Sequence, residues 1–138
     1  VDCCIDAACA GVDHDGDSHP CDCDDNNPLV WYPPTETRNL SLTKSAGVTN
    51  FSWLPPLDKG AVDVTYEMIR SANPADFVTA ASCVALANPS NPSGTDSTTP
   101  AAGQAFHYLV RAKNGCPSGL GPLGFSSQNQ PIAGRNCP

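Results

Sequence analysis

The chain has 138 residues, 40% hydrophobic and 15% charged, with 14 prolines and 11 glycines. That composition excludes global disorder, leaves room for one ordinary domain plus an appendage of some 35 residues, and favours short strands and turns over long helices. The net charge of −7 is local: residues 1–36 carry nine acids and no base, whereas residues 37–138 carry five acids against seven bases. Nucleic-acid binding is excluded for the first quarter, which lacks the Lys and Arg needed to neutralise phosphate.

In chain order, residues 1–12 (V-D-C-C-I-D-A-A-C-A-G-V) form an arm too short to fold alone, yet carrying Ile5, alanines and three cysteines. Residues 13–36 form an acidic segment. Residues 37–138 read as a domain of short alternating runs parted by turns. Leu40–Thr43 alternates. Val48–Leu54 offers Val48, Phe51 or Trp53 to a core and stops at Pro55-Pro56. After a turn at Asp58-Lys59-Gly60, Val64–Arg70 alternates, with Val64, Tyr66, Met68 and Ile69 available for burial. Phe77–Leu86 holds one or two short strands. Ala87–Pro100 is low in complexity and reads as an exposed loop. Phe106–Ala112 is the clearest strand, closed by a turn at Asn114-Gly115, and Leu123–Gln128 supplies the last one. His107 is expected at a rim or facing outward. The fold class is all-β.

The F-S-W-L-P-P stretch at 51–56, V-T-Y-E-M-I-R at 64–70 and H-Y-L-V-R-A-K-N-G at 107–115 resemble a fibronectin type III domain. The resemblance covers roughly residues 36–130. It implies an immunoglobulin/fibronectin III-like sandwich with Trp53 and Tyr108 in its core. The departure is three cysteines in the sandwich, which imply staples.

Eight cysteines, at positions 3, 4, 9, 21, 23, 83, 116 and 137, point to an oxidising compartment. Cys3, Cys4, Cys9, Cys21 and Cys23 precede residue 36; Cys83, Cys116 and Cys137 follow residue 82. If all pair within the chain, at least one bridge joins the acidic segment to the C-terminal part. Adjacent Cys3 and Cys4 rarely bond each other because the geometry is strained, so two partners are expected. No apolar run reaches the length of about 20 residues that spans a bilayer. With no basic and apolar leader at its start, Val1 reads as a mature N-terminus, and the localisation expected is extracellular or cell-surface.

Asp13, Asp15, Asp17, Asp22, Asp24 and Asp25 fall within thirteen residues. Carboxylates at positions 1, 3 and 5 of a loop converge on one calcium ion, which takes six to eight oxygens. Asp13, Asp15 and Asp17 have that spacing, His19 at position 7 would offer its backbone carbonyl, and Asp24 stands at position 12. Ser18 replaces the glycine of an EF-hand loop, and Pro20 between cysteines opposes flanking helices, so this is an EF-hand-like loop in another frame. The run from Asp13 to Glu36 resembles the metal-binding repeats of bacterial secreted surface proteins, whose D-x-D-G-D half is shared with thrombospondin type 3 repeats. By that resemblance Asp22, Asp24, Asp25 and Glu36 serve the same ion or a second one, making one or two Ca²⁺ in all. A solvated acidic face would not need Gly16 inside an aspartate triplet. Two carboxylates about 4 Å apart repel by roughly 4 kcal/mol at an effective dielectric of 20, so metal binding should be coupled to folding of the segment. Copper or zinc on His14 and His19 is the competing choice.

Asn39-Leu40-Ser41 and Asn50-Phe51-Ser52 fit the N-glycan acceptor pattern. Ser93, Thr95, Ser97, Thr98 and Thr99 are candidate O-glycan acceptors. No G-x-S-x-G, H-E-x-x-H, P-loop or dinucleotide fingerprint occurs, and the paired carboxylates lie only in the metal segment, so catalysis is not expected. Two functions remain. One is a structural subunit of an extracellular filament, assembled head to tail by the arm pairing with its own sandwich or that of the next subunit. The other is a secreted binding module for a glycan, a protein or copper, for which the adjacent Trp31 and Tyr32 form a weak exposed aromatic cluster.

Overall fold

The computed structural model describes residues 23, 24 and 26–138. Its described strands are six: β1 (Arg38–Ser45), β2 (Val48–Leu54), β3 (Thr65–Ser71), β4 (Ala81–Val84), β5 (Ser93–Asp96) and β6 (His107–Lys113). They form two three-stranded antiparallel sheets, ordered β1-β2-β5 and β4-β3-β6. The expected all-β fold is what the described residues form, as two antiparallel sheets packed around a shared core.

Local chemistry explains the elements. Ala46 and Gly47 both take positive φ, 49° and 82°, which matches the twist of a two-residue hairpin turn and pairs Ser45 with Val48. Asn39, at φ 55°, sits in the bulge between Arg38 and Ser41, a conformation that Asn tolerates. The period-2 pattern then points Phe51 and Trp53 of β2 at Tyr66 and Met68 of β3 and at Val110 and Ala112 of β6, with Val64 completing the cluster. The Trp53 and Tyr66 rings meet edge-on with centroids 5.3 Å apart, and Phe51 and Tyr108 tilt together at 4.7 Å. Burying each large side chain stabilises the sandwich by about 1.5–3 kcal/mol.

Two expectations are corrected. Ala87–Pro100 is not all exposed loop, because Ser93–Asp96 is β5, paired to β2 from Thr49↔Asp96 to Ser52↔Ser93. Its S-G-T-D sequence has no apolar pattern; tertiary contacts make it a strand. Gly94 leaves room where a Cβ would stand 2.5 Å from Leu86 Cδ2, and Asp96 is tied to Arg70 Nη1 at 2.6 Å. Leu123–Gln128 is not a strand either, holding only the isolated bridge Phe125↔Pro131. Instead Leu123 joins Ile69, Phe77 and Ala81 in a second cluster, on the opposite face of β3 from Met68. The 131–138 stretch crosses that face. Gly134 passes where a Cβ would lie 2.2 Å from Leu123 Cδ1, and the Cys83–Cys137 disulfide closes the strap. Beneath it Arg111 Nε donates to buried Glu67 at 2.5 Å, while Nη2 donates to Arg135 O at 3.1 Å and Asn136 Oδ1 at 2.9 Å.

Candidate metal centre

Of the eight predicted ligands, Asp13, Asp15, Asp17, His19, Asp22 and Asp25 lie outside the described residues, as do Cys3, Cys4, Cys9 and Cys21. Asp24 and Glu36 are described. Asp24 opens a tight loop: its Oδ1 accepts from Asn26 N at 3.3 Å and its carbonyl from Asn27 N at 2.8 Å, while Cys23 N donates to Trp31 O at 2.8 Å. Glu36 sits against the later part of the chain, with its Oε1 3.2 Å from where a Cβ on Gly124 would stand. Both donors are carboxylates, the ligand type a hard cation requires. Among the described residues no three His, Cys, Asp or Glu side chains are gathered as a metal group.

What the described part of the segment does show is how it is anchored. Val30 bridges to Ala61 and is buried with it and Cys116. Val62 N donates to Leu29 O at 2.9 Å, and Gly60 O accepts from both Trp31 N, at 2.8 Å, and Tyr32 N, at 2.9 Å. Gly60 is obligatory here: its φ is 59°, and a Cβ would lie 1.9 Å from Tyr32 O. Thr35 and Asp58 exchange bonds, Thr35 N donating to Asp58 O at 2.9 Å and Asp58 N to Thr35 Oγ1 at 3.1 Å. Asn114 ties three stretches together. Its Nδ2 donates to Tyr32 O at 2.5 Å and Lys59 O at 3.0 Å, and its Oδ1 accepts from Cys116 N at 3.1 Å.

The covalent tie is Cys23–Cys116, joining residues 93 apart in sequence with Cα atoms 5.6 Å apart. It joins the acidic segment to the sandwich, the kind of tie that follows from cysteine parity if all eight pair within the chain. All four described cysteines are paired, which fits an oxidising compartment. The sequence reading recognised Asn114-Gly115 and Asp58-Lys59-Gly60 as turns but not that both grip the acidic segment. No local signal reveals a turn's tertiary partner.

A second polar cluster lies inside the sandwich. Asp96, buried, accepts from Arg70 Nη1 at 2.6 Å, Tyr108 OH at 3.1 Å and Thr98 N at 2.8 Å. Burial pushes the Asp96 carboxyl up, but the bonds from Thr98 and Arg70 outweigh it and hold it below the usual range. Burial, then the Asp96 charge, raises the Tyr108 phenol. Arg70 also stacks 4.7 Å from the Phe106 ring centroid. Every member is satisfied by another, the mark of a structural network rather than of a poised acid and base.

The other predicted positions are placed as follows. Asn39 is exposed, and half-buried Asn50 pairs with Thr43 and Thr95 across its sheet. Ser93, Thr95, Ser97, Thr98 and Thr99 are exposed on and after β5. His107 is half-buried opposite Ser71. No helix among the described residues is long and apolar enough to cross a membrane.

A solved structure described as an Fn3-like protein from Clostridium thermocellum is similar to this chain, at 20% identity over 60% of this chain and 79% of that one, with a TM-score of 0.47. No family model matches the sequence, and no curated protein does.

Proposed function

We propose that the chain is a non-enzymatic, extracellular calcium-binding structural protein, a subunit of a surface or matrix filament assembled through residues 1–12. Asp13, Asp15, Asp17, the His19 carbonyl, Asp22, Asp24, Asp25 and Glu36 hold one or two Ca²⁺ ions, whose charge offsets the mutual repulsion of the carboxylates. The observation that carries this reading is the anchorage. Cys23–Cys116, with the Gly60 and Asn114 hydrogen bonds, ties the acidic segment to the end of a stiff sandwich, so order set by an ion passes to the rest of the subunit. Cysteine pairing supports calcium over copper, since Cys23 is a disulfide half and not a thiolate ligand. Asn39, exposed at its bulge, is the more accessible of the two N-glycan acceptors.

The test is chelation. Excess EDTA should lower the thermal unfolding midpoint and expose residues 13–36 to an Asp-directed protease, and calcium should restore both. Unchanged unfolding and unchanged protease resistance would sink the calcium reading. A monodisperse 14.3 kDa species in calcium would sink the filament reading.

A further inference from the structure

Asn114-Gly115 is the one Asn-Gly pair in the chain. Such a pair carries the chemistry of a cyclisation: the amide nitrogen that follows an asparagine can attack the asparagine's own Cγ, and a glycine there puts no Cβ in the way. Gly115 lies exposed to solvent base. Asn114 Oδ1 accepts from Cys116 N at 3.1 Å, which polarises Cγ and places a donor where negative charge develops as the nitrogen attacks. Set against this, Asn114 Nδ2 is held by Tyr32 O at 2.5 Å and Lys59 O at 3.0 Å. Drawing Cγ onto the Gly115 nitrogen pulls Nδ2 off both carbonyls, so the two bonds that help to seat the acidic segment also restrain the reaction.

We propose that Asn114 is a modification site, whose deamidation unseats the described end of the acidic segment. This goes beyond the calcium and filament readings and depends on neither. The Gly115 nitrogen gives its proton to solvent base and bonds to Cγ; the Cγ–Nδ2 bond breaks, and Nδ2 takes protons from water and leaves as ammonia. Water then adds to one or other carbonyl of the cyclic imide and opens it to an aspartate or an isoaspartate at position 114. No oxidant, metal or enzyme is needed, and loss of ammonia to solvent makes the change irreversible. A carboxylate has no N–H, so the donors to Tyr32 O and Lys59 O are both lost, and a negative charge faces those two carbonyl oxygens instead. One covalent change thus loosens the seat at residues 32 and 59 together, while Cys23–Cys116 keeps the segment tethered.

Ageing the full-length, disulfide-bonded protein at mildly alkaline pH and then mapping its tryptic peptides tests the site. Cleavage after Arg111 or Lys113 and after Arg135 isolates the stretch, and fragmentation should place the amide-to-acid mass gain on Asn114 rather than on Asn129. Freeing two hydrogen bonds of ordinary strength is a factor of roughly ten, so the same chain held unfolded in urea should convert about tenfold faster. Conversion confined to the unfolded chain would overturn the site, and equal rates in the two states would overturn the restraint by Tyr32 O and Lys59 O. The consequence is read by amide hydrogen exchange on Asn114→Asp. The Trp31 and Tyr32 amides, which donate to Gly60 O, should exchange about tenfold faster than in the native protein, while those of Met68 and Val110 in the core hold their rates. Should Asn114→Asp not fold, the aged native chain, separated by its added charge on anion exchange, serves the same comparison. Unchanged exchange at Trp31 and Tyr32, or an equal rise at Met68 and Val110, would overturn the local unseating.

Discussion

Removing the Cys23–Cys116 bridge by the double substitution Cys23→Ser/Cys116→Ser should produce two separable effects. The bridge closes a loop of 93 residues, so on the chain-entropy account its loss frees the unfolded chain by about 4–5 kcal/mol. A chain of 138 residues is expected to have roughly 7–20 kcal/mol of stability in all, so the variant should still fold. Its thermal midpoint should fall by about 12–20 °C. The second effect concerns transmission. In the native protein EDTA should lower the midpoint of the sandwich transition, followed by near-UV signal from Trp53 and the tyrosines. In the variant that shift should shrink, because the acidic segment loses its covalent tie to the sandwich and keeps only non-covalent contacts such as the Gly60 hydrogen bonds and the Val30–Ala61 contact at its described end. Calorimetry with and without chelator reads both. A fall of less than about 3 °C, with the bridge confirmed by mass in the native protein, would refute the loop-entropy reasoning. An undiminished EDTA shift would refute the coupling.

Three further outcomes follow from particular contacts. Gly60→Ala cannot keep φ 59° and the close approach to Tyr32 O, so it should cost at least about 2 kcal/mol and speed tryptic cleavage after Arg38, the first basic residue of the chain. Arg111→Ala leaves buried Glu67 with only the longer Lys113 ion pair at 3.7 Å and should cost about 3 kcal/mol in urea unfolding, whereas Glu67→Leu with Arg111→Met should recover most of it. The carboxyl of Asp96 is held below its unfolded value of about 3.9, so its stabilisation is present above that pH and is lost as pH falls below it. Asp96→Asn should be less stable than native at pH 7, with the gap closing toward pH 2; a gap constant with pH would contradict the ionised Arg70–Asp96 pair.

How much of the fold was legible depended on whether its determinants are local. β2, β3 and β6 stand in the sequence because alternation there reports one buried face, and Trp53, Tyr66, Met68 and Val110 occupy it. β5 was illegible because S-G-T-D reports nothing locally; β2's free ladder and the Arg70–Asp96 pair recruit it. The expected strand at 123–128 failed for the converse reason. Leu123 and Ile132 are more fully used covering Ile69 than they would be in a ladder that Gly124 and Pro131 interrupt. Ile69 itself was ambiguous: both faces of β3 are covered, so an apolar residue beside Met68 signals the strap as much as the core. At the site, cysteine parity called for a tie between segment and sandwich or else a bond to another chain, but counting could not choose between them, select Cys116, or foresee Asn114 and Gly60 beside it.

The chemistry of the anchorage bears on why charge is segregated so sharply along this chain. Residues 1–36 hold nine acids without a base, and a body carrying two excess positive charges could attract them only weakly through water and salt. The contacts that seat the described part of the segment are of another kind: backbone hydrogen bonds to Gly60 and Asp58, the amide of Asn114, the apolar Val30–Ala61–Cys116 cluster and a disulfide. Such contacts change little with ionic strength, whereas the convergence of carboxylates that the calcium proposal requires would depend on it steeply. On the calcium proposal, these contacts would keep the described part of the segment on the sandwich when the ion leaves.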